Sequence, residues 1–97
     1  MFRHCVLMRF SDDATDEQKQ AAVNHVGTLR EKIPEIVDYS VGLDAGLRDD
    51  NFDLAAVGDF ATKADYEVYA SHPYHLEVIQ NHLAPILAER AAVQYEF

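Results

Sequence analysis

The segment FRHCVLMRF alternates so that Phe2, His4, Val6, Met8 and Phe10 share one face of an extended chain, while Arg3, Cys5, Leu7 and Arg9 share the other. Both faces are apolar in the middle, and a strand of that kind has to be covered on both sides. A layer of helices covers one side. At 97 residues the chain supplies a single domain, because one hydrophobic core takes roughly 50 to 200 residues. The simplest cover for the other side is the matching face of a second copy. The sequence therefore predicts a homodimer whose sheets pack face to face.

Downstream, Thr15 followed by Gln18 reads as a capping box opening a first helix. Asp12, Asp13, Asp16 and Glu17 complement the positive end of its dipole and need no functional explanation. Ala22, Val26, Leu29 and Ile33 recur at helical spacing, and Pro34 ends the run. IVDYSVGL predicts a second strand with Val37, Tyr39, Val41 and Leu43 on one side. FDLAAVGDF predicts a third, in which Gly58 marks a bulge or a close approach. Thr62 with Asp65 reads as a second capping box, and the helix it opens cannot pass His72, the residue before Pro73. PYHLEVIQNHL starts a third helix and AAVQYEF closes the chain as a strand. The order is β-α-β-β-α-β with the second α in two pieces. That is an α+β, ferredoxin-like arrangement, an antiparallel sheet with helices on one face.

Charge narrows the function classes. Eight Lys and Arg against seventeen Asp and Glu leave a net charge of −9, which repels nucleic acid and anionic membrane surfaces alike. The apolar runs are short and the N-terminus lacks a signal-peptide core, so a soluble cytoplasmic protein is expected. Cys5 stands alone and, in a strand, reads as a small packing residue rather than a nucleophile.

The chemistry-bearing residues gather in YASHPYH, Tyr69 to His75. If Tyr69 ends one helix facing inward and His75 begins the next, the break at His72-Pro73 aims both into one cavity. A neutral imidazole takes a proton from the carbon beside a carbonyl near neutral pH, and a phenol hydroxyl hydrogen-bonds the developing enolate oxygen. His72, before the proline, reads as a residue that caps and orients the break. Alternatively, Tyr69 packs on the sheet and the histidines only fix the helix junction. His75, Ile79 and His82 fall at helical spacing, so both histidines could share a side. No carboxylate stands at a recognised metal-ligand spacing, and no catalytic metal is expected. His25 reads as a helix-flank residue, and Tyr39, Tyr66 and Tyr95 as packing aromatics.

RHCVLMRF, IPEIVDYSVGLD, FDLAAVGDF and above all the Tyr-x-x-His-Pro-x-His of YASHPYH make the chain resemble the stress-responsive A/B barrel (Dabb) family over essentially its whole length. The resemblance implies dimeric α/β barrels of ferredoxin-like subunits. The family includes a plant polyketide cyclase, olivetolic acid cyclase, which closes a linear tetraketide by aldol condensation without metal or organic cofactor. By position, Tyr69 and His75 match its catalytic pair, His72 the intervening histidine and His4 the early-strand histidine. His4 would then hold His75 or polarise a substrate carbonyl. Tyr74 stands where the cyclase has a small residue, and Ala22, Val23 and Val26 stand where it has aromatics. Val26 is therefore implied on the wall of a reshaped substrate pocket. Some members resemble a type in which main-chain carbonyls near the end of the first helix, here around Gly27 to Ile33, hold magnesium.

Three functions remain on the sequence. The first is a homodimer binding a small carbonyl compound, as a cofactor-independent cyclase or lyase with catalytic His75 and Tyr69 and with His4, His72 and Val26 binding or orienting substrate. The second is a non-catalytic stress-responsive or ligand-binding homodimer. The third, by fold analogy alone, is a cofactor-independent monooxygenase.

Overall fold

The computed structural model covers all 97 residues. Strand β1 (Phe2–Phe10) lies inside a four-stranded sheet between β3 (Leu54–Phe60) and β4 (Leu87–Glu96), and β2 (Ile36–Leu43) pairs with β3. Every neighbouring pair is antiparallel and the order is β2-β3-β1-β4, the ferredoxin-like arrangement expected from the β-α-β-β-α-β order of elements. The inner side of β1 is buried from Phe2 to Phe10, while Leu7 on its outer side is 43 % exposed. Opposite Leu7 and Cys5 stand Ala91 and Val93 on one flank and Ala55 and Val57 on the other. The outer face is thus an apolar sheet surface that nothing in the chain covers.

The first helix opens as the sequence requires. Thr15 Oγ1 accepts the Gln18 N–H (3.1 Å) and the Gln18 side chain accepts the Thr15 N–H (2.9 Å). Its stripe of Ala22, Val26, Leu29 and Ile33 is buried, none of the four more than 2 % exposed; burying Val26, Leu29 and Ile33 contributes about 1.5–3 kcal/mol apiece. The stripe is carried by two pieces, α1 (Asp16–Gly27) and α2 (Leu29–Lys32). Between them the Thr28 hydroxyl donates to the His25 carbonyl at 2.6 Å and competes with the helical ladder. Before α3 (Lys63–Ser71) the second capping box is only half formed. Thr62 Oγ1 accepts the Asp65 N–H at 3.1 Å, but aspartate is a methylene too short to make the return bond of a glutamate.

Two elements depart from expectation. The β2–β3 register slips between Ile36 and Asp38, so Ile36 takes the inner position opposite Phe60 and Val37 turns outward, 46 % exposed. The bulge therefore falls in β2, and Gly58 marks a close approach instead. A Cβ there would lie 3.0 Å from the Tyr39 ring and 3.2 Å from that of Phe60. The third helix also ends early. After α4 (Pro73–Val78) the chain makes one π-helical turn, Ile79–Leu83, and a 3₁₀ turn, Ala84–Ile86. Val78 and Leu83, five residues apart, are both buried, and the wider turn brings that spacing closer to one face than an α-helix would. β4 consequently begins at Leu87, four residues before the expected strand.

Candidate active site

The helix break delivers two groups. His72 is extended (φ −63°, ψ 132°), as a residue before proline must be, and its Nδ1 accepts the Tyr74 N–H at 3.1 Å as the N-cap of α4. Tyr69, in the last turn of α3, is 3 % exposed, and its ring centroid lies 4.2 Å from that of His75. Both line a cavity of about 80 Å³ between the helices and the inner sheet face. A water needs roughly 10–15 Å³ on such a measure, so the space suits a small molecule. His4 and Val26 line the same cavity and His72 does not. His72 acts on the site only through the turn it caps.

Hydrogen bonding fixes what each group can do. His75 Nδ1 meets the Ala70 carbonyl at 3.1 Å. A carbonyl only accepts, so Nδ1 carries the proton and Nε2 keeps its lone pair. Burial lowers the His75 pKa, the Ala70 bond opposes that, and the charges of His72 and Arg90 push it down further. The ring is a neutral base at neutral pH. Tyr69 and Tyr39 share a hydroxyl–hydroxyl hydrogen bond of 3.0 Å. Burial raises both phenols, so the pair stays protonated and keeps one O–H to offer a ligand. The Gln94 amide donates to His4 Nδ1 at 2.9 Å, which leaves the His4 proton on Nε2. Burial, with smaller contributions from Arg90 and His75, pushes His4 down to about 4, so it too is neutral.

One base and two neutral donors on an apolar wall are the components of enolate chemistry. Two wall residues escaped the sequence. Tyr39 was read as packing, and only the structure brings its hydroxyl to that of Tyr69. Arg90 lay outside the expected last strand, although the alternation Arg90, Ala92, Gln94 continues back from the strand's inner face.

His82 does not join His75. The π turn rotates it away, and its ring stacks on His25 of α1, with centroids 3.5 Å apart and planes 15° from parallel. No three His, Cys, Asp or Glu side chains converge anywhere in the chain. Near the end of the first helix the carbonyls of His25, Thr28, Leu29 and Ile33 accept from Thr28, Glu31, Ile33 and Ile36 respectively.

No helix is long and apolar enough to cross a membrane. No curated protein sequence matches the chain. Among solved structures it is similar to a dimeric ferredoxin-like protein from Thermobifida fusca, 34 % identical over 99 % of this chain and 90 % of that one, with a TM-score of 0.90. A dimeric protein of ferredoxin-like fold from Bacteroides fragilis is 30 % identical over 99 % and 95 % of the two chains, with a TM-score of 0.86. The hydroxynitrile lyase of Passiflora edulis shares the fold, at 24 % identity over 97 % and 90 %, with a TM-score of 0.83. The family model of the stress responsive A/B barrel domain, Dabb, matches residues 2–97, and the chain belongs to that family.

Proposed function

We propose that the protein is a homodimer whose cavity binds a small carbonyl compound and performs cofactor-independent proton transfer of the cyclase or lyase kind. The observation that carries this reading is the commitment of His75 Nδ1 to Ala70 beside the Tyr69 phenol in one cavity. His75 Nε2 takes a proton from the carbon next to the carbonyl. The C–H electron pair becomes the C=C bond of an enolate, and the carbonyl oxygen receives the hydrogen bond of the Tyr69–Tyr39 pair. The enolate carbon then takes back the proton or attacks a second carbonyl within the same molecule. His4 Nε2–H is the second donor. Dimerisation uses the outer sheet face, where Leu7 and Val93 are exposed and the Arg3–Asp59 pair, closed by bonds of 2.7 and 2.9 Å, satisfies its own charge. The dimeric relatives from Thermobifida fusca and Bacteroides fragilis support this assembly, and a lyase on the same fold supports the reaction class.

Exchange of α-protons for deuterium in small ketones, followed by NMR in D₂O, tests the reaction. Wild type should accelerate exchange, and His75→Asn and Tyr69→Phe should each remove most of that acceleration while the dimer stays intact. Exchange that survives His75→Asn refutes the assignment of the base. Binding without any exchange in wild type would instead favour the ligand-binding homodimer.

A further inference from the structure

Arg90 is the one side chain on the cavity wall that carries a charge at neutral pH. It arrives from β4, opposite Met8 of β1, on an exposed stretch of strand, and so stands at the cavity's mouth. Arg3, Arg9 and Arg30 each hold a carboxylate. Arg48 and Arg90 hold none; of these two only Arg90 lines the cavity, and no carboxylate does. His4 and His75 are neutral, so nothing on the wall balances the guanidinium. Its charge also acts on His4, Tyr69 and His75, which puts it within electrostatic reach of the whole site. The rest of the protein is strongly acidic, with a net charge of −9. A positive mouth on such a surface selects anions locally that the remainder repels.

We infer that the cavity takes a small oxo acid, with its carboxylate paired to Arg90 and its carbonyl between Tyr69 and His75; this rests on the proton-transfer reading above. A guanidinium offers two parallel N–H donors that match the two oxygens of a carboxylate. A phosphate ester fits less well, because one arginine and an otherwise apolar wall leave half of a double negative charge unmatched. The carboxylate holds the substrate by its non-reacting end, which fixes which α-carbon faces His75.

The test compares 4-oxopentanoate with hexane-2,5-dione, which has the same number of heavy atoms and no charge. Calorimetric titration of wild type should show the oxo acid bound about tenfold more tightly, the typical effect of one charge-assisted pair at a half-open site. Arg90→Gln should erase that preference by weakening the acid alone, and Arg90→Lys should restore part of it. In deuterium exchange, Arg90→Gln should raise KM for the acid about tenfold and leave KM for the dione unchanged. Equal affinities in wild type, or a preference that survives Arg90→Gln, overturns the inference. The two readings fail separately. His75→Asn abolishes exchange on both compounds while keeping the preference if both readings hold. A preference lost in Arg90→Gln without any exchange in wild type leaves the carboxylate site standing and removes the reaction.

Discussion

Burial of His4 makes the fold acid-sensitive in a defined window. The ring lies under Tyr66 and beside Tyr69, is 6 % exposed, and has its pKa pushed down to about 4 by desolvation first, then by the charges of Arg90 and His75. In the unfolded chain it titrates near the ordinary histidine value of about 6.5. Between those values the unfolded chain binds a proton that the folded chain refuses. Stability is therefore fully present above about pH 6.5 and is lost progressively as the pH falls to about 4. At about 1.4 kcal/mol per pH unit, His4 alone removes about 3 kcal/mol across the window, a large share of the roughly 5–15 kcal/mol that holds a domain together. His75, lowered chiefly by burial, acts in the same direction. His4→Gln keeps a polar partner for Gln94 and cannot titrate. Urea unfolding at fixed protein concentration, at about pH 7 and about pH 4, should show wild type losing about 3 kcal/mol more than His4→Gln. Parallel losses in the two proteins would refute the reasoning, as would an NMR titration in which the His4 ring protonates near 6.5 in the folded state.

Gly58→Ala drives a methyl to 3.0 Å from the Tyr39 ring and should cost about 1–3 kcal/mol, read as a fall in Tm; an unchanged Tm would mean that the aromatic shelf yields freely. His72→Ala orphans the Tyr74 N–H and should lower stability by about 1 kcal/mol. His72→Asn supplies another acceptor and should recover most of that loss, and equal Tm values for the two variants would sink the capping role. Leu7→Glu places a charge in the middle of the outer sheet face. Sedimentation should then find a folded monomer, and a persisting dimer would exclude that face as the interface.

Legibility in the sequence followed the range of the forces involved. The two-faced alternation of β1, the stripe of α1 and α2, and the proline rules at Pro34 and Pro73 are local constraints, and each appears in the structure where the sequence put it. The bulge at Val37 and the π turn at Ile79–Leu83 are not local. Each is a one-residue adjustment that lets Ile36, and then Val78 and Leu83, reach a core whose shape is set by other segments. In the site, Tyr69 and His75 were legible because seven residues carry both the groups and the turn that aims them. Tyr39 and Arg90 come from strands thirty residues before Tyr69 and twenty-one after it. Their arrival depends on sheet register, which no short motif records.

The helix break and the tautomer of His75 are one structural event. In a continuous helix the Tyr74 N–H would bond the Ala70 carbonyl four residues back. Pro73 forbids that continuation and would orphan both groups. Two histidines resolve the pair: His72 Nδ1 accepts the Tyr74 N–H, and His75 Nδ1 donates to the Ala70 carbonyl. The second of these bonds selects the tautomer that leaves Nε2 free beside Tyr69. His72 therefore holds the turn that presents His75 without itself reaching the cavity.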